Sequence, residues 1–356
     1  MNHYLRNLLG HLPCRGKATL RRSRPPLTVE PLDARIVPTV WNVTSPLDNL
    51  VPGTLRYAVD HANNGDVIKI LPAPTAPVAQ HIALTRGELY LDHNVTIEGV
   101  GPQPTISGSH LSRVFEVAPF ASVTLRNLDV SDGNGVAHNP KGNASLNGDG
   151  GGILNEGRLL VTGCTLVHNA AENGGAIATI PAFTLRSPLP WPPVLIPKLT
   201  VDTSTLVKNV AFQFGGGVFN EHGLLTVNNS RLLLNSATLD GGGIADLDAR
   251  TEVKDSLLSA DSAVFGGGIF NSWSTLTVSQ TNLAANVASG AGGGVYNADH
   301  GTAMVTNCKF VKDSSPHGSG IENKGSKSSV QVGNTFFKTN TIDGLWTDLG
   351  GDMFVP

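Results

Sequence analysis

Residues 215–240 read GGGVFNEHGLLTVNNSRLLLNSATLD: three glycines, an aliphatic residue, an Asn two positions on, then alternating apolar and polar residues up to a second Asn. A single glycine-rich turn leading into a helix would suggest a phosphate cradle. Here strand-like alternation follows instead, and the signature recurs as GGGI at 150, GGAI at 174, GGGI at 241, GGGI at 266, GGGV at 292 and GSGI at 318. Successive spacings are 24, 41, 26, 25, 26 and 26 residues. The long interval contains a Pro-rich insertion at 179–197, TIPAFTLRSPLPWPPVLIP.

Other columns keep step with the glycines. The first is Ile153, Ile177, Val218, Ile244, Ile269, Val295 and Ile321. Two residues later stand Asn155, Thr179, Asn220, Asp246, Asn271, Asn297 and Asn323. Valine fills the next column, at 161, 201, 227, 253, 278, 305 and 332. Leu166, Leu206, Leu232, Leu258, Leu283, Phe310 and Phe337 follow. A second polar column, three residues on, is Asn169, Asn209, Asn235, Asp261, Asn286, Asp313 and Asn340, and after it come Ala171, Ala211, Ala237, Ala263, Ala288, Ser315 and Ile342.

Each unit therefore offers three short period-2 apolar runs separated by corner residues, with no segment long enough for a helix. Three strands per repeat of this length, stacked unit on unit, is the pattern of a parallel β-helix. One residue per column then lies over its equivalent at about 4.8 Å. Each buried Val, Leu or Ile contributes roughly 1.5–3 kcal/mol, so the columns supply most of the stability. Asn at a corner repeated in every coil is expected to adopt the left-handed conformation and to form a hydrogen-bonded ladder. The glycines read as corners needing positive φ or close backbone approach.

Upstream, 88–133 reads as less regular coils, and GTLRYAVDHANNGDVIKI at 53–70 places Leu55, Ala58, Val59 and Ala62 on one face of a short helix before a strand. That helix would cap the open N-terminal edge of the stack. The tail at 343–356 is expected to do the same at the other end. The organisation is thus a basic segment at 1–39, then one β-helix domain over 40–356, with a capping region at 40–70 and regular repeats at 148–340.

Composition agrees: 41 glycines, 22 prolines and only 15% charged residues favour short strands with tight corners. Residues 1–37 hold seven Lys or Arg against Glu30 and Asp33, 7 − 2 = +5, which leaves −8 on the remainder of a chain of net charge −3. An acidic body argues against nucleic-acid binding. No apolar run approaches the roughly 18–20 residues of a membrane span. The head reads as an address, and Arg21–Arg22 is compatible with an export signal.

GGAI at 174 followed by STLVKN at 204–209, together with CKFVKD at 308–313, resembles the paired GGA[ILV] and FxxN motifs of polymorphic outer membrane protein repeats. Those repeats belong to the right-handed β-helix, pectate-lyase-like superfamily. The segment RRSRPPLTVEPLDARIVPT at 21–39 is similar to the N-terminal segment of planctomycete exported proteins. The resemblance implies a right-handed coil of three strands, about ten coils in all, and a secreted or cell-envelope location. The autotransporters' C-terminal membrane barrel has no counterpart here, so their anchoring route does not carry over.

Chemistry is harder to find. A lyase would need Arg or Lys beside acidic calcium ligands, and a hydrolase would need paired carboxylates on adjacent coils. The densest acidic stretch, 241–265, makes Asp246, Asp248 and Asp261 candidate calcium ligands, although Asp246 and Asp261 also occupy the Asn columns. NGDGGG at 147–152 occurs once and lacks the period of calcium-binding nonapeptide repeats. Cys164 and Cys308 share a column with Ser204, Ser230, Ser256, Thr281 and Thr335, which places them about 24 Å apart, beyond disulfide reach. The histidines show no zinc or triad spacing, and His168, next to a ladder Asn, is expected to point outward. In the insertion, Phe183, Arg186 and Trp191 are candidates to contact a sugar face or a partner.

The expectation is a non-enzymatic secreted or envelope scaffold that binds polysaccharide or a surface protein, without cofactor apart from a calcium ion at that acidic stretch. The alternative is a polysaccharide lyase or glycoside hydrolase with a divergent site, for which no catalytic residue is identifiable.

Overall fold

The computed structural model describes residues 38–72, 78–137, 141–182, 195–325 and 327–356. Pro38–Pro356 form one compact unit, a right-handed parallel β-helix with, among the described residues, a single short α-helix. Its strands fall into faces named here for their inward residues. The isoleucine face has 10 strands, Leu89–Leu91 to Ile342–Asp343; the valine face has 12, Val40–Val43 to Thr347–Asp348; and the leucine face has 11, His81–Ala83 to Met353–Val355. A fourth sheet of 5 short strands, Ala170–Asn173 to Val287–Ala291, fills the corner between the leucine and isoleucine faces. The three long sheets make about eleven coils, because the irregular segments at both ends also close turns.

The aliphatic columns pair in register, Ile153 to Ile321, Val161 to Val332 and Leu166 to Phe337. All belong to one continuous core. Ile342 departs from the sequence alignment: it pairs with Ile321 on the isoleucine face, because the last coil omits the corner strand. The tail adds a final coil, in which Phe354 stacks on Phe337 at 4.7 Å and Met353–Val355 remain exposed.

The three glycines of 215–217 serve two needs. Gly215 turns the corner at φ +68°; a Cβ on Gly216 would meet Gly242 O and Ser236 O at 2.5 Å, and one on Gly217 would meet Gly243 O at 2.5 Å. Coils therefore touch backbone to backbone at this corner. Ser319 can replace the middle glycine in the last glycine corner because the chain beyond it is Thr341, whose hydroxyl it bonds.

The left-handed residue at the second polar corner is the one before each Asn, not the Asn itself. His168, Lys208, Leu234, Ala260, Ala285, Lys312 and Thr339 have φ of 55–60°. His168 is exposed there. With the turn made by its neighbour, each Asn points inward and is free to form the ladder. Asn169 donates N and Nδ2 to Asn209 Oδ1 at 3.1 and 3.0 Å, and Asn209 does the same to Asn235. Each Nδ2 also reaches a leucine-face carbonyl of the preceding coil, Val130 O from Asn169 and Leu166 O from Asn209. The Asn209→Ala variant strands both donors of Asn169 and the Leu166 carbonyl, so a loss of about 2–4 kcal/mol is expected in urea unfolding.

At the N-terminal end the α-helix α1 (Leu55–His61) is capped by the Thr54 hydroxyl and buries Leu55, Ala58 and Val59, with Ala62 just beyond it. It packs against the strands Val40–Val43, Val67–Ile70 and Leu89–Leu91, which closes the first coil. Arg56 ties it down through Asp48 at 2.5 Å and the Gly87 and Glu88 carbonyls. No helix among the described residues is long and apolar enough to cross a membrane.

Candidate functional site

The acidic residues singled out in the sequence do not converge. Asp246 lies inside the isoleucine face and Asp261 inside the corner ladder, both fully buried, whereas Asp248 is exposed and pairs with His222 at 3.2 Å. Among the described residues no group of His, Cys, Asp or Glu is placed to hold a metal. The alternation of strand residues explains this: positions 246 and 261 face the core, and calcium ligands would have to face a common cavity. Phe183, Arg186 and Trp191 lie outside the described residues, as does Cys14. Cys164 and Cys308 are free and buried, and their column is a hydrogen-bonded ladder, with Cys164 N donating to Ser204 Oγ at 3.0 Å.

Buried carboxyls in an amide ladder have a chemical consequence. Asn235 donates N and Nδ2 to Asp261 Oδ1 at 2.8 and 2.9 Å, and Asn286 does so to Asp313 Oδ1. Asn220 Nδ2 donates to Asp246 Oδ1 at 3.1 Å. In all three the other oxygen, where an Asn would carry its amide hydrogens, has no partner among the described residues. Burial pushes Asp261 up to about 8 and Asp246 and Asp313 up to about 7. A proton on Asp246 Oδ2 would also supply a donor to the next rung, Asn271, whose Oδ1 has none among the described residues. These residues are carboxylic acids standing in for amides, which is a structural role.

A second cluster, which sequence reasoning missed, sits at the N-terminal end of the outer isoleucine face. Arg113 is completely buried and donates to Glu116 Oε2 at 2.7 Å, to Asp149 O at 2.7 Å and to Leu146 O at 2.9 Å. Asn143 joins two carboxylates, with N on Glu116 Oε1 and Nδ2 on Glu156 Oε1, both at 2.7 Å. Burial holds the Glu116 carboxyl above its ordinary value and pushes Glu156 up to about 7 and Asp149 up to about 6. Paired carboxylates with raised pKa values are hydrolase-like in kind. Here, however, Glu116 is sealed from solvent and both of its oxygens are taken, so the cluster holds the 141–149 segment onto the coils.

The outward residues of the isoleucine face form one continuous column: Tyr90, Glu116, Leu154, Ala178, Phe219, Ala245, Phe270, Tyr296, Glu322 and Asp343. Its middle is an apolar cluster separate from the core. Beside it runs the last residue before each of the first six glycine corners: Asp149, Asn173, Phe214, Asp240, Phe265 and Ala291. The two columns meet in an aromatic band over the coils of residues 265–300. Tyr296 lies 5.0 Å from Phe265 and 5.7 Å from Phe270, stacked on the latter at 7°. On the opposite rim Trp273, 59% exposed, stacks on His300 at 4.0 Å. Carboxylates surround the band. Burial, then Glu322, Asp299 and Asp240, raise the Tyr296 phenol, and Asp240, between the Phe214 and Phe265 positions, is pushed up by burial to about 6.

No family model matches the chain, and no curated protein matches it. Among solved structures it is similar to the pectate lyase Pel9A, with a TM-score of 0.53 and 13% identity over 86% of this chain and 76% of that one. A more distant likeness is to an alginate lyase, AlyF-OU02, at TM-score 0.41 and 12% identity over 89% of this chain and 63% of that one. At 13% identity the likeness to Pel9A is one of fold, a pectate-lyase-like parallel β-helix.

Proposed function

We propose that this protein is a secreted or cell-envelope β-helix that binds polysaccharide without cleaving it, and that Phe265, Tyr296 and Trp273 of the aromatic band, backed by the buried Phe270, are the surface the polysaccharide lies on. The observation that carries the reading is the band itself. Phe265, Tyr296 and Trp273 are partly exposed on a rigid sheet, with the buried Phe270 stacked against Tyr296, so they present apolar faces to sugar rings and lose little entropy on binding. The basic residues 1–39 act in this reading as the export or sorting segment. The fold shared with a pectate lyase supports a polysaccharide as partner. The buried, saturated Arg113 and Glu116 favour binding over catalysis.

The test is a panel of neutral, basic and acidic polysaccharides in affinity electrophoresis, with unsaturated products and new reducing ends followed in the same samples. Retardation without products is expected, and Tyr296→Ala should weaken it about tenfold while changing the melting temperature little. Product formation would replace this reading with the lyase or hydrolase one.

A further inference from the structure

We propose that the aromatic band selects polysaccharides carrying protonated amino groups, polymers of 2-amino-2-deoxyhexose, over polyuronates. The inference rests on the binding reading above and specifies the charge of its ligand. Directly beyond Tyr296 in the outward column stand Glu322 and then Asp343, one coil apart each. Glu322 is 7% exposed, and its Oε2 has no hydrogen-bond partner among the described residues. Lys324 and His317 bear on it electrostatically, yet neither is within ion-pair distance of it.

Glu322 Oε2 is itself closed to solvent, so what a ligand meets is the charge of this nearly buried carboxylate, acting through little screening water. An ammonium group offers three donors and the opposite charge, and such charge-assisted bonds are the strong ones. A pyranose stacked on Tyr296 would carry its substituents toward Glu322 on one side and Asp299 on the other. A carboxylate there would face Glu322, Asp343, Asp299 and Asp240, which outnumber Lys324 and His317, so the net repulsion of polyuronates sharpens the choice.

The experiment compares a soluble glucosamine oligomer, its fully N-acetylated counterpart and polygalacturonate near neutral pH and low salt, on the parent and Glu322→Gln. The glucosamine oligomer should bind best, with salt-sensitive affinity, and polygalacturonate not at all. Glu322→Gln should lower glucosamine affinity about tenfold and leave the N-acetylated oligomer unchanged; melting curves confirm that the variant folds. Asp240→Asn, on the other flank, gives a second, smaller loss by the same readout. Equal binding of the N-acetylated oligomer, or tight binding of polygalacturonate, overturns the charge selection while leaving polysaccharide binding intact. Absence of binding to every glycan, with Tyr296→Ala indistinguishable from the parent, overturns both.

Discussion

Asp261→Asn should stabilise the protein above about pH 8 by roughly 3–5 kcal/mol and leave it nearly unchanged at pH 4 or below. In the unfolded chain this carboxyl titrates near 3.8, and in the fold near 8. Between those values the folded state keeps the proton and the unfolded state does not. Unfolding then releases a proton, so stability is highest below the unfolded value and falls as pH rises through the folded one. Asp246 and Asp313, at about 7, add the same trend and finish it slightly lower. An amide supplies permanently the hydrogens that the carboxylic acid holds only while protonated. Melting temperature against pH for the parent, Asp261→Asn and the triple Asn variant measures this. The parent should decline from about pH 4 to about pH 8 and the triple variant much less over that interval. Parallel curves would show that the three carboxyls are not held neutral by the ladder.

Gly242→Ala is expected to be a highly damaging single-methyl change, about 3 kcal/mol or more. Its added Cβ would lie 2.4 Å from both Gly267 O and Ser262 N. Those atoms are backbone of the neighbouring coil and the same corner, so no side chain can swing away and the coils themselves must part. Ser319, the equivalent position in the last glycine corner, already carries a side chain, and Ser319→Ala should cost no more than about 1 kcal/mol. Denaturant midpoints of the two variants, or soluble yield where Gly242→Ala fails to fold, decide the matter. Equal and small losses would contradict backbone contact between coils.

The two variants mark how far the sequence can be read. Columns were legible because every coil poses the same problem: Val161 and Val332 see the same neighbours, so the same residue recurs. Departures from the columns were harder. The Asn ladder was visible, but not that the preceding residue makes the turn, since Leu234, Ala260 and Thr339 are not residues that announce positive φ. Asp246 and Asp261 read as possible metal ligands because a string of residues does not say whether a carboxyl faces water or core. Arg113 and Glu116 gave no signal, because they lie in irregular coils with no repeated column to compare against. The aromatic band did leave one. Phe219, Phe270 and Tyr296 each follow the first aliphatic residue after a glycine triad, the outward position, but alternation with Ala178 and Ala245 hid the column.

The claim that sugar lies on the isoleucine face is tested most directly by oxidative footprinting of the parent with and without saturating glucosamine oligomer. Protection should be confined to Phe265, Tyr296, Trp273 and His300, with Phe212 and Phe120, both exposed elsewhere on the coils, labelled equally in the two samples. Protection of Phe212 or Phe120 instead, or unchanged labelling of Tyr296 and Trp273 in a sample shown to bind, would contradict it.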